Sequence, residues 1–131
     1  MAAKTSGAKS LADTERVFLK GAAQFNRGEF FAAHETWEEI WLPARQPDKN
    51  FLHGIIQVAA EFHHCQRRNL RGTLSLLRKG LKKLEKFAPG YRGLQLEPLR
   101  AELRQWIASL VSGASRPESF PRISRATRKP D

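Results

Sequence analysis

Apolar side chains along this chain recur at intervals of three and four residues, and the intervals break at glycines and prolines. Residues three and four apart share one face of a helix, so the spacing predicts a succession of helices. Val17, Phe18, Gly21, Ala22 and Phe25 mark the first, with Asp13 as its expected N-cap and Asn26-Arg27-Gly28 as its end. The second runs from about Gly28 to Trp41 and stops near Pro43. So short a break between them should make the two fold back as an antiparallel hairpin. The hairpin resembles a single tetratricopeptide-type unit, but no second copy follows at the repeat length of about 34 residues, so no solenoid is expected.

A third helix, about Asn50 to Arg68, carries Phe51, Leu52, Ile55, Ile56, Val58, Ala59 and Phe62 nearly all round and should be the most buried. Gly54 and Ala60 on its remaining sector would let another helix come close. After a turn at Asn69-Leu70-Arg71-Gly72, the leucines 70, 74, 77, 81 and 84 define a fourth helix, which Ala88-Pro89-Gly90 ends. A fifth is expected from near Pro98, burying Leu99, Leu103, Trp106, Ile107 and Leu110. Nothing reads as a sheet. The expected fold is all-α, a compact single-domain bundle of about five helices built on the N-terminal hairpin. Residues 1–10 lack periodicity and read as a disordered arm, 11–111 as the helical domain, and 112–131, rich in Ser, Pro and Arg, as a flexible basic tail.

Composition changes this picture little. A chain of 131 residues supports one modest core, and 40% hydrophobic with 27% charged residues is ordinary for a globular protein. No apolar run approaches the roughly 20 residues that span a bilayer, which argues against an integral membrane protein. The start of the chain lacks a signal-type apolar segment, and the single Cys65 has no internal disulfide partner. A cytoplasmic location is the expectation that follows.

Charge matters more. The net charge of +10 is uneven: residues 71–93 hold seven cations against one carboxylate, and residues 11–43 have an acidic excess. Arg78, Lys79, Lys82, Lys83 and Lys86 form one face of the fourth helix, which Arg67, Arg68, Arg71 and the tail could extend towards an acidic partner or nucleic acid. A solvated helix face has the same composition, and no aromatic residue is interleaved to stack on bases.

The candidate chemistry lies on the second helix. At about 100° per residue, Phe30, Trp37 and Trp41 share a narrow sector with Phe31 at its edge, and His34 and Glu38 project through the middle of that sector. A polar group buried there without a partner would cost roughly 2 to 7 kcal/mol, so the two should meet each other, a partner helix, water or a ligand. On the third helix, Gln57, Glu61 and His64 share a sector with His53, whereas His63 points away from it. One reading is a structural network of His34, Glu38, Gln57 and His64 between the two helices. Another is a divalent metal held by His34, Glu38 and His64 with Glu61, since Glu61-x-x-His64 has the spacing used in di-iron helical bundles. Those centres need a second such motif. The zinc-protease pattern fails too, because His34-Glu35 is followed by Glu38 where a second His is required. A metal-independent enzyme lacks a nucleophile with a matching partner: Ser75, Ser109 and Cys65 sit in ordinary helix positions.

The string Gly28-x-Phe30-Phe31-x-Ala33-His34-Glu35-x-Trp37-Glu38-x-x-Trp41 is followed by Phe51-Leu52-x-Gly54-Ile55-Ile56-Gln57-x-Ala59-Ala60, then a His and Asn69-x-x-Gly72. In this the chain resembles the bacterial family known as domain of unknown function 309, over roughly Thr14 to Gly93. The resemblance implies a compact domain of about five helices without an established activity. It also implies that His34, Glu35, Glu38 and Gln57 occupy the signature polar positions, with His63 or His64 as the third-helix histidine and phase favouring His64. The combined expectation is a small non-enzymatic helical protein with an internal His/Glu/Gln constellation that is structural or binds a small ligand. A metal-dependent hydrolase or oxidase using the same residues, and a nucleic-acid-binding accessory protein acting through the fourth helix, are the alternatives. Oligomeric state stays open.

Overall fold

The computed structural model describes residues 10–67, 73–113 and 116–125. Five helices follow one another: α1 (Leu11–Asn26), α2 (Phe30–Trp41), α3 (Asp48–Gln66), α4 (Thr73–Leu84) and α5 (Leu96–Ser112), with a single 3-10 turn at Tyr91–Gly93 before the last. The described residues hold no strand, only an isolated antiparallel bridge between Leu94 and Arg125. None of their helices is long and apolar enough to cross a membrane. The fold is the expected all-α bundle.

Helix α1 starts earlier than its apolar stripe. Ser10 is the N-cap, its Oγ accepting the Asp13 N–H at 3.0 Å, so Asp13 sits inside the first turn rather than at the cap. A carboxylate there also suits the positive end of the helix. Phe18, Gly21, Ala22 and Phe25 bury the α1 face against α2. The contact depends on Trp37, which is fully buried, donates its indole N–H to the Phe18 carbonyl at 3.0 Å and lies over Gly21. A Cβ at Gly21 would stand 2.2 Å from Trp37 Nε1. Only glycine lets the ring down onto α1.

Helix α3 runs through the centre, in contact with α2 on one side and α4 on the other. Ten of its residues are buried. Its crossing with α4 is close because two glycines face each other: a Cβ on Gly54 would sit 3.2 Å from the Gly80 carbonyl oxygen, and one on Gly80 would sit 2.9 Å from that of Gly54. Gly54 thus has the expected role, with α4 as the neighbour. Leu77, Leu81 and Leu84 supply α4's buried face; Leu70 and its turn lie outside the described residues. Arg100 of α5 is buried and donates from Nη1 to the Leu84 and Phe87 carbonyls, both at 2.9 Å. A cation is thereby placed on the free carbonyls at the negative end of α4.

The C-terminal expectation needs correction. Residues 116–125 are not a free basic tail but a strap across the bundle. Phe120 stacks on Trp106 with centroids 5.1 Å apart and packs edge-on against Phe30 and Phe62. Ile123 is buried, and its backbone N–H and C=O both bond the side chain of Asn26, at 2.7 and 2.9 Å. The Gln95 N–H donates to the Ser124 carbonyl at 2.8 Å. One Phe and one Ile in a polar run give no periodicity to detect, yet a buried side chain such as Ile123 contributes about 1.5 to 3 kcal/mol. The expected N-terminal arm falls, apart from Ser10, outside the described residues, as do 114–115 and 126–131 of the expected tail.

A second unanticipated anchor lies at the 3-10 turn. Arg92 adopts a left-handed φ of 57°, a conformation that costs a non-glycine residue about 1 to 2 kcal/mol. Its guanidinium bonds both oxygens of Asp48 at 2.8 Å and Glu15 at 3.1 Å, and lies 4.4 Å above the Phe18 ring. These contacts hold the turn against the starts of α1 and α3.

Candidate functional site

The buried stripe of α2 is Phe30, Ala33, Thr36, Trp37 and Ile40. Its centre therefore runs between Ala33 and Ile40, not through Trp41, which is only half-buried. That rotation moves the ionisable pair out of the core and onto its flank. His34 and Glu38 side chains are 26% and 46% exposed, with Nε2 and Oε2 3.6 Å apart. The largest rings misplaced the centre of the face, because Phe31 points outward and is 50% exposed.

Phe31 is the hub of what gathers here. Its ring is nearly parallel to that of His34, with centroids 6.1 Å apart, and tilts against His63 at 5.2 Å. His64 lies 6.1 Å from His63. Phe31, His34, Ala60, His63 and His64 line an open cleft of about 150 Å³ between α2 and α3. The expectation that His63 points away is corrected: both histidines border the cleft, and His63 is the one against Phe31. Burial holds the His63 pKa below its ordinary value, and the nearby Arg67, His64 and His34 push the same way.

The other predicted residues are less tightly grouped. Glu35 is exposed. Gln57 is half-buried, but its Oε1 accepts no hydrogen bond, and neither does His34 Nδ1, so the expected stitching between these atoms is not made. Glu61 is fully buried in α3. Among the described residues no three His, Cys, Asp or Glu side chains lie close enough to hold a metal ion, so His34, Glu38, His64 and Glu61 are not assembled as a ligand set. Phe30 and Trp37 pack beneath the site as expected. Trp41 instead turns to His53, with centroids 5.4 Å apart, and to Lys49, whose Nζ caps the end of α2 by donating to the Trp41 and Leu42 carbonyls at 2.9 and 2.8 Å.

A wider open cleft, of about 440 Å³, lies where α4 passes the beginning of α3. Pro47, Asn50, Lys79, Lys82, Lys83, Lys86 and Phe87 line it. Burial lowers the pKa of His53, and the charge of Lys83 lowers it further. The sequence offered the lysines as a face; that they border a cavity with α3 followed only from the helix crossing at Gly54 and Gly80.

Cys65 is buried, and Arg116 of the strap donates to its Sγ at 2.9 Å. The knot of Glu15, Asp48, Tyr91 and Arg92 was also missed, since no local spacing connects residues from three separate elements. Tyr91 donates its phenol to Asp48 at 3.1 Å. Burial first, and then the Asp48 charge, push its pKa up to about 12.

Comparison with known proteins gives two findings. The chain is 28% identical over 101 residues to an uncharacterized protein of Aquifex aeolicus (strain VF5). The aligned part is 76% of this chain and 30% of that relative, so the chain spans less than a third of the length of the relative it matches. The second finding is a family match covering the later part of α1, all of α2 and α3 and the opening of α4, including every residue of the Phe31 cleft. Over residues 18–76, the chain is similar to the model of the domain of unknown function DUF309.

Proposed function

We propose that this domain is a non-enzymatic helical binding module whose ligand site is the cleft edged by Phe31, His34, Ala60, His63 and His64. The observation that carries this reading is Phe31, a large ring left half-exposed and held between two imidazoles. A stacking surface of this kind takes a planar group. The cleft volume of about 150 Å³ is well below the roughly 300 to 1,000 Å³ of sites that enclose drug-sized ligands, so one small ring or one aromatic side chain is the fitting occupant. His34 and Glu38 flank the core with Nε2 and Oε2 3.6 Å apart, and they offer hydrogen-bonding edges to a ring seated on Phe31.

The test is titration of the protein with indole, followed through the histidine ring protons. Binding should shift the His34, His63 and His64 resonances and spare His53. Phe31→Ala should abolish the shifts without unfolding the domain. Shifts that persist in Phe31→Ala, or none in the parent protein, would overturn the assignment. If the same residues were simply a buried network, His34→Ala would cost about 1 to 3 kcal/mol; a half-exposed pair predicts below about 1 kcal/mol.

A further inference from the structure

We propose that the cleft between the start of α3 and the outer face of α4 binds the phosphate backbone of a nucleic-acid duplex. Lys79, Lys82, Lys83 and Lys86 converge on this cleft of about 440 Å³, and none of its lining residues is acidic. The carboxylates nearest in sequence are turned elsewhere: Asp48 is bonded by Arg92 and Tyr91, and Glu85 by Arg104 at 3.4 Å. The four ammonium groups therefore add, and the first turn of α3 at Pro47 and Asn50 brings the positive end of that helix to the same cleft.

Charge density selects the partner. Exposed Arg78 extends the lysines along α4, and from Arg78 to Lys83 a rise of about 1.5 Å per residue gives a stripe about 7.5 Å long, with Lys86 in the turn just past the helix end. Four cations on that stripe amount to one per about 1.9 Å, close to the one phosphate charge per about 1.7 Å of a duplex axis. An anionic membrane fits less well. A helix lying in a bilayer surface needs a free apolar face, whereas Leu77, Leu81 and Leu84 of α4 are buried. Among the described residues, the exposed large apolar side chains Leu11, Phe31, Leu42 and Val111 all lie outside this cleft. Base reading is not provided either, because Phe87 at the rim is packed on Phe51 and Tyr91. Lysines acting as point charges recognise phosphate without regard to sequence.

The experiment is fluorescence anisotropy of the full chain with a labelled mixed-sequence DNA duplex across a salt series. Four to five phosphate contacts predict a slope of log affinity against log salt of about −4, or roughly a 250-fold loss for a fourfold rise in salt. Lys82→Gln and Lys86→Gln should each weaken binding and reduce that slope by about 1, whereas Lys20→Gln on exposed α1 surface should change neither. Melting temperatures confirm that these exposed substitutions leave the fold intact. No binding at low salt, or binding that Lys82→Gln and Lys86→Gln leave unchanged, would overturn the proposal. So would capture by phosphatidylserine vesicles or polyglutamate as tight as capture by the duplex.

Discussion

Replacing Gly21 with alanine should destabilise this domain even though alanine is the better helix former. The new Cβ would stand 2.2, 2.6 and 2.7 Å from Nε1, Cδ1 and Cε2 of Trp37. Carbon contacts settle at about 3.5 to 4.0 Å, so the indole must lift by about 1 Å or more. Trp37 is fully buried and stacks on Phe18 with centroids 5.9 Å apart, so lifting it presses the ring on its core neighbours. Overpacking of this kind costs about 1 to 3 kcal/mol. Lifting also stretches the 3.0 Å bond from the indole to the Phe18 carbonyl, and a buried donor left without its acceptor costs about 1 to 3 kcal/mol more. Alanine returns about 1 kcal/mol through helix propensity. The balance is a loss of about 1 to 5 kcal/mol, which at roughly 4 °C per kcal/mol lowers Tm by about 4 to 20 °C. Circular dichroism melts of Gly21→Ala, Trp37→Phe and the double variant measure this. With the indole gone, Gly21→Ala should cost much less, a coupling that contact between the two sites requires. A Gly21→Ala protein as stable as the parent, or purely additive effects, would refute the close seating of Trp37 on α1.

Two further outcomes follow from buried polar groups. Arg100→Met removes the donor from the Leu84 and Phe87 carbonyls and should cost about 2 to 3 kcal/mol in chemical denaturation, with Arg100→Lys recovering part; a change below about 0.5 kcal/mol would show that water serves those carbonyls equally well. Tyr91 is the only tyrosine, so phenolate absorbance reports it alone, and in the folded protein it should rise near pH 12 rather than at the ordinary value of 10.0. The unfolded chain releases that proton first, so this group's contribution to stability is full below pH 10 and is lost as pH climbs towards about 12. Coincident titration of native and unfolded protein would dismiss the Asp48 bond.

The helices, their order and the burial of α3 were legible in the sequence because each is written in local spacing: Leu77, Leu81 and Leu84 repeat on one face whatever surrounds them. His34 was legible as a candidate for the same reason. Its environment was not. Whether His34 and Glu38 face the core depends on which flank of α2 meets α1 and α3, and that was decided by Trp37 sinking onto Gly21 and by Ile40, not by the exposed Phe31. A few tens of degrees of rotation about one helix axis separates a buried pair from a half-exposed one, and periodicity does not resolve that angle when large rings stand on both edges. The strap at Phe120 and Ile123, the Arg92–Asp48–Glu15 knot and the lysine cleft share a second cause. Each joins residues far apart in the chain, with partners supplied only when the helices cross. The sequence by itself determined which segments are helical and which faces are apolar. The tertiary structure decided what those faces enclose, since a cleft and an ion-pair knot are properties of the packing between elements rather than of any one of them.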